Sequence, residues 1–524
     1  MNDYPQKEVP TTPPSAPDAI DLNRYGDTTA STVELNFTHP PAEDFNGVRI
    51  DPATGRLIPT AYNVVETFET HVSPTRWVYI CTTGCDTNLG TYDAPFRTLT
   101  RAMQVVQPGT AVRIKPGDYR APDLMGCWFK HIHGTAENPI WIGGIPGMER
   151  PVLSEITVSR GSYVIIHDLE IHGLGDSLKH GIHIHEGDSR SDAESTHHFV
   201  IRNNYLHNIT NSPFKVAWVY HAWYFDNEIG DGNPMRQSGD MDHVGVHYIN
   251  VAYNYIWDGV GTGISFKGAS TNCNIYGNLI INGGHMGAHM GQTTGRPYFL
   301  PAFEPGVTTE AQNIRTFSNI FIGGIAPVAF SSSRSNYAVN NTCVLPQKYL
   351  VRILNQNDDP DWYMGGAPSE GTIANNIFYF DSLPGEHFNV SPNTPVDTFV
   401  VENNLFFHAE NPGYLPLPPE FIRTCSIAPN NINNSILQDP LFADDTYIIA
   451  AMAAGGRDMA QRKSMLAKIR PEHLALTAGS PAVGAGTITP AGNLTQDLSF
   501  VTHDFFGKPF AHRRSVGAIE FYSE

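Results

Sequence analysis

Between about residues 162 and 407 one pattern of apolar and polar positions keeps returning: an alternating apolar stretch, an Asn that is often doubled, and a second apolar stretch. The copies read VIIHDLEIHG, FVIRNNYLHN, WYFDNEIG, VAYNYIWDG, NIYGNLIING, TFSNIFIGG, YAVNNTCVL, TIANNIFYF and VVENNLFFH. Each alternates with period two, as a strand does when one face is buried. The final Asn residues are Asn204, Asn227, Asn254, Asn278, Asn319, Asn341, Asn376 and Asn404, separated by 23, 27, 24, 41, 22, 35 and 28 residues. That is a base period of 22 to 24 lengthened by loops at particular turns. A fixed period of this size marks a solenoid. One coil cannot bury its own apolar face, so neighbours must stack at about 4.8 Å around a shared interior. The Asn falls where the chain bends and its amide can satisfy freed backbone groups, which predicts a hydrogen-bonded Asn ladder. A leucine-rich repeat has a similar period, but its Leu spacing is absent and no helical pattern recurs between the strands.

The flanks predict a boundary for this solenoid. DAPFRTLTRAMQVVQPGTAVRIKPGDYR reads as an amphipathic helix ended by Pro-Gly and followed by a strand, the cap that an open coil end requires. GRDMAQRKSMLAKI reads as a helix expected to dock at the C-terminal end. The chain accordingly divides into a flexible Pro/Thr-rich segment (1–45), an N-terminal cap with the first coils (46–161), a β-helix core with loop insertions (162–430) and a C-terminal coil and cap (431–524).

Charge and composition narrow the partners. The 52 acidic against 33 basic residues, net −19, would repel nucleic acid and anionic membranes, so a polyanion could bind only at a locally basic site. No apolar run approaches the ~20 residues that span a bilayer. The start, MNDYPQKEVPTTPPSAPD, lacks the basic start and apolar core of a signal peptide and reads as a tether. A removed leader, and a secreted, periplasmic or cell-surface monomer, is the expectation. Of the six cysteines only Cys81 and Cys85 are close in sequence. A local disulfide there would suit an oxidising compartment, and a zinc site would need a second pair at metal spacing. Cys273 and Cys343 fall within predicted strands, as packed thiols do.

Alternation also names the outward side chains. In GISFKG, Ile264 and Phe266 point in while Ser265 and Lys267 point out; HGIHIHEG gives His183 and His185, VGVHY gives His247, MGAHM gives His289 and FKVAWV gives Lys215. In-order stacking turns these into a column of titratable groups, and the 22 His are concentrated between 167 and 289. The Gly-rich stretch GDGNPMRQSGDMDHVGVHY adds Asp231, Arg236, Asp240, Asp242 and His243 beside the same face. Asp240 and Asp242 are candidates for paired hydrolase carboxylates or for calcium ligands, against the plainer reading of turn-forming Asp. QNDDPDWYMGG carries Asp358, Asp359 and Asp361 in a solvated turn, with Trp362 and Tyr363 as sugar-stacking groups.

Over residues 77 to 520 the chain resembles bacterial right-handed parallel β-helix proteins, the group that includes pectate-lyase-like and alginate- and chondroitin-lyase-like enzymes. The resemblance rests on PFRTLTRAMQVVQPGTAVRIKPGDYR, on DPLF, GSPAVGAG, DFFGKPF and VGAIEF, and on the repeats. It implies an all-β right-handed parallel β-helix but is far less specific for substrate. Within GISFKGASTNCNIYGNLIINGG, Lys267 matches the lysine that serves such lyases as base. The next coil, HMGAHMGQTTGRPYF, offers His289 or Arg296 where they carry a basic acid catalyst; where they carry acidic calcium ligands this chain reads DGVGTGIS. The leading expectation is therefore a polysaccharide lyase that cleaves a uronate-containing polymer by β-elimination. Lys267, His289, His247 and Arg296 would be catalytic; His183, His185, Lys215, Arg236, His243 and Tyr298 would hold an acidic or neutral polysaccharide. Calcium at Asp240 and Asp242 is the one cofactor this leaves open. A glycoside hydrolase using those Asp residues and a non-catalytic glycan-binding surface protein are the alternatives.

Overall fold

The computed structural model describes residues 48–59, 65–124, 128–175, 179–186, 196–230, 239–304, 308–356, 366–416, 434–489 and 497–522. Successive coils each contribute three short strands, and every strand pairs in parallel with its counterpart one coil away. One coil runs Met241–Val244, His247–Ala252, Tyr255–Trp257; the next runs Ile264–Lys267, Ser270–Tyr276, Leu279–Ile281. The first strands of the coils form a first sheet, from Trp128–His133 through Lys267 to Phe388–Val390. The second strands form a second sheet, and the third strands a ten-stranded third sheet. This is a parallel β-helix.

Alternation decides what fills it. In the registered row Ile184, Val216, His243, Phe266, Met290, Phe330 and Ile353, six of the seven members are apolar, and all lie in the interior. Phe266 and Ile264 are inside and Lys267 outside, as alternation requires.

The Asn ladder is present along its full predicted length. From Asn204 to Asn404 each side-chain N–H₂ donates to the Oδ1 of the next Asn at 2.9–3.0 Å. Each backbone N–H donates to the same oxygen, and the amide also reaches a carbonyl of the preceding coil, Val251 O in the case of Asn278. The doubled Asn has a reason. The residue before each ladder Asn has positive φ (Asn203 53°, Gly277 62°, Asn340 51°, Asn375 56°), a conformation that Asn and Gly reach at least cost.

The N-terminal cap is a five-residue helix, Leu99–Met103, whose N-cap Thr98 accepts from Arg101 N–H and whose Leu99 and Ala102 seal the core. The helix read in GRDMAQRKSMLAKI forms at Met459–Leu466 but does not close the C-terminal end. It lies along the flank: Arg462 is buried against Asp381 (2.7 Å) and Asn282 Nδ2 donates to Lys463 O. The reason is apolar area. Third-sheet strands such as Leu279–Ile281 carry apolar residues on both faces, so Leu279 and Ile281 need an outer cover, and the C-terminal region supplies it. Its backbone also serves the turns: Asn340 Nδ2 donates to Ser515 O and Gly517 O, and Asn375 Nδ2 to Thr487 O. The N-terminal region covers the second sheet likewise, with Glu69 accepting two bonds from Arg202 (2.8 and 2.6 Å) and one from Trp141. Cys81 and Cys85 are free thiols, each beside the Thr two residues on, and Cys273 and Cys343 are buried. Among the described residues no helix is long and apolar enough to cross a membrane.

Replacing one ladder Asn strands several buried groups at once, each costing about 1–3 kcal/mol. Asn278→Ala should therefore lower the thermal unfolding midpoint far more than Asn88→Ala in the N-terminal loop, measured by circular dichroism; equal midpoints would show that the ladder carries no stability.

Candidate functional site

With terminal regions covering the second and third sheets, the first sheet keeps an outward face of its own. Its centre holds a cleft of about 410 Å³ lined by His183, His185, Lys215, Ala217, Trp218, Val244, Lys267, Thr293, Thr294, Gly295 and Tyr298. Register explains the lining. His183, Lys215, Asp242, Ser265 and His289 occupy one outward column, and His185, Ala217, Val244 and Lys267 the next.

Across the cleft floor Asp242 joins the two lysines. Lys215 Nζ donates to its Oδ2 at 2.5 Å, and Lys267 Nζ lies 3.1 Å from its Oδ1. Burial works against the charged carboxylate, but the lysines outweigh it and hold Asp242 well below the usual carboxylate range. Lys215 falls below the ordinary lysine range because burial and the nearby Lys267 together outweigh Asp242. The trio carries one surplus positive charge at the base of an open cleft. Lys267 also donates to Gln292 Oε1 at 3.2 Å.

One wall is the insert that makes the 41-residue ladder gap. Glu310, nearly fully buried, fastens it by accepting from Gly268 N–H, Thr294 N–H and Thr294 Oγ1 at 2.7–2.8 Å. Leu300 N–H donates to Gly268 O, and Trp218 Nε1 donates to Tyr298 O at 2.9 Å. The rings of Trp218 and Tyr298 stand 6.5 Å apart and nearly parallel, with Tyr298 more than half exposed. Beyond His183 and His185, whose rings stack at 4.4 Å, the same outward columns lead to Trp128, half exposed, with Lys130 Nζ 3.6 Å over its ring.

Of the residues named from sequence, Lys267, Lys215, His183, His185 and Tyr298 meet in this cleft, and Asp242 lies beneath the lysines. His243 does not: Met241–Val244 is a strand rather than part of a loop, so beside an outward Asp242 the next residue must point inward. Its ring packs between Tyr224 and Phe266, and its Nδ1–H donates to Ser265 O. His247 belongs to the second sheet, where it bonds Thr271 Oγ1 (2.7 Å) and donates through Nε2 to Leu300 O (3.0 Å), holding the insert instead of facing the cleft. His289 shares the outward column but is covered, with Nε2 2.6 Å from Ser331 Oγ. Arg296 is exposed and turned over the Phe303 ring, 5.3 Å away, outside the lining. Asp240 is fully buried under Gly259. Asp242, pinned in its ionised form, has no proton to give as a hydrolase acid, and two ammonium groups on its oxygens would repel calcium. Arg236, Asp231, Asp358, Asp359, Asp361, Trp362, Tyr363, Cys127 and Cys425 lie outside the described residues. Sequence reasoning missed Trp218, Thr293, Thr294 and Glu310. For the last three the length of the insert is the only advance signal, because its path is set by tertiary contacts, and Trp218 sits at a corner between two sheets that period-two alternation does not mark.

A family model described as a protein of unknown function, DUF1565, matches residues 82–123. No curated protein matches. Among solved structures, pectate lyase Pel9A is 14% identical over 86% of this chain and 97% of its own, with TM-score 0.45. An alginate lyase from Paenibacillus sp. is 13% identical over 63% and 99%, TM-score 0.39. A lacto-N-biosidase from Eubacterium ramulus is 14% identical over 64% and 68%, TM-score 0.39.

Two outcomes follow from these electrostatics. Asp242→Asn removes the shared carboxylate from two crowded ammonium groups and should cost about 3–5 kcal/mol. Adding Lys215→Met should restore part of that loss in a double-mutant cycle read by denaturant unfolding, whereas strictly additive losses would contradict the coupling. Burial depresses His180, His197, His221, His243 and His247 to about 4 from an ordinary 6.5. The unfolded chain then binds more protons between those values, so stability is full above pH 6.5 and is lost as pH falls toward 4. Thermal midpoints in a pH series should decline across that window; a flat series would contradict it.

Proposed function

We propose that the protein is a polysaccharide lyase acting on a uronate-containing polymer by β-elimination at this cleft. The observation that carries the reading is the Lys215–Asp242–Lys267 trio: a locally cationic floor, in a chain of net charge −19, set at the base of an open cleft with aromatic walls. A polyanion finds attraction there and repulsion over most of the surface.

β-Elimination makes three demands. The proton beside the uronate carboxylate must go to a base, the carboxylate must be neutralised while charge builds on it, and the leaving oxygen must gain a proton as its bond to carbon breaks and a carbon–carbon double bond forms. We assign Lys267 as base, its amino group held at the cleft floor by Asp242 and Gln292. Lys215 neutralises the substrate carboxylate, with Asp242 fixing the spacing of the two lysine nitrogens. The Tyr298 hydroxyl, at the open side of the cleft, supplies the leaving-group proton. Trp218 and Tyr298 give flat faces for sugar rings, and His183 and His185 donate to hydroxyls of flanking residues. Such a polymer is met outside the cytoplasm, which suits a secreted, periplasmic or cell-surface enzyme.

The test is a panel of uronic polymers followed by ultraviolet absorbance of the unsaturated product. The wild type should produce it from at least one, and Lys267→Ala should slow it by about 10²–10⁴-fold with the fold intact. Reducing ends released without absorbance would replace the lyase with a hydrolase; glycan binding without products would leave a binding protein.

A further inference from the structure

Away from the cleft, on the outer face of the third sheet, Glu170, His172 and His207 converge. The strands Glu170–His172 and Tyr205–His207 pair in parallel with Tyr205 beside Glu170 and His207 beside His172. Ile171 and Leu206 fill the interior, so alternation sends all three polar side chains outward. His207 Nε2 lies 3.0 Å from Glu170 Oε1, the two imidazole rings are 4.3 Å apart, and one ligand atom from each residue lies within 4.8 Å of the others.

We propose that these residues form a binding site for a divalent transition-metal ion, zinc being the ion their donors suit. Two imidazole nitrogens with one carboxylate oxygen favour zinc and its neighbours over calcium, which takes oxygen ligands. Asn208 Nδ2 donates to His172 Nε2 at 3.1 Å and His207 Nε2–H to Glu170 Oε1 at 3.0 Å, so an arriving ion takes the place of these two hydrogen bonds. Asp118, paired with Arg120, together with Arg56 and Arg150 are the other charges acting on the group, one acidic and three basic. Water completes the coordination.

The position gives the ion a purpose. The Asn ladder stops at Asn204, because the preceding coil carries Leu169 at the equivalent place and offers only its backbone N–H to Asn204 Oδ1. His172 and His207 bridge those two coils, so an ion there clamps the stack where the amide chain runs out. It also steadies the N-terminal cover: the Tyr205 ring stacks on His207 at 4.2 Å, and the Arg56 guanidinium sits 3.2 Å over Tyr205.

The test uses tag-free, chelator-treated full-length protein titrated with zinc chloride by calorimetry, with thermal unfolding alongside. The wild type should take up one equivalent saturably with a rise in unfolding midpoint, and His172→Ala and Glu170→Gln should weaken uptake at least about tenfold. Should a variant fail to fold, histidine modification by diethylpyrocarbonate on the wild type, mapped by peptide mass, should show zinc protecting His172 and His207. No saturable uptake, uptake unchanged in folded His172→Ala, or zinc protection confined to other histidines would each overturn the site.

Discussion

The architecture rests on in-register stacking of coils, and the Asn ladder is the interaction that keeps register. A parallel strand pair slipped by one residue would send every interior side chain outward. A buried amide with fixed donors and one acceptor on each side permits no such slip. From Asn204 to Asn404 seven inter-Asn bonds repeat the same geometry although the coils between them differ in length by up to 19 residues. Extra residues are therefore expelled as loops, which is how the 41-residue step comes to supply a wall for the cleft instead of disturbing the stack.

Register converts distant sequence into a local site. Lys215, Asp242 and Lys267 are separated by more than 20 residues each, yet they are neighbours because each is outward in the same part of its coil. The outer faces of the second and third sheets are occupied by terminal regions fastened through Glu69–Arg202, Arg462–Asp381 and the Asn340 and Asn375 side chains. Among the described residues the first sheet receives no such cover at the cleft. Division of the three faces between covering segments and an open polar face thus precedes any specific chemistry.

Much of this was legible in the chain. The ladder residues, the inward Phe266 and outward Lys267, and the participation of Lys215, His183 and His185 follow from period and alternation alone. Failures came where alternation was set aside or could not reach. His243 was grouped with Asp242 as a loop residue, although adjacent strand residues cannot share a face. His247 was placed with Lys267 although a corner between two sheets separates them, and a corner leaves no mark in a period-two pattern. The pairing of both lysines with one Asp is hidden in the chain because it depends on the register between coils, which alternation within a coil does not report. The C-terminal helix was read correctly, but its docking along the flank depended on the apolar outer face of the third sheet.

We propose that the cationic cleft on the first sheet receives an acidic sugar chain. The most direct measurement is a crystal structure of Lys267→Ala soaked with a uronic oligosaccharide that the wild type processes. A uronate carboxylate should lie at Lys215 Nζ with its sugar ring against Trp218 or Tyr298. An oligosaccharide bound on another face, with the cleft holding only solvent, would contradict it.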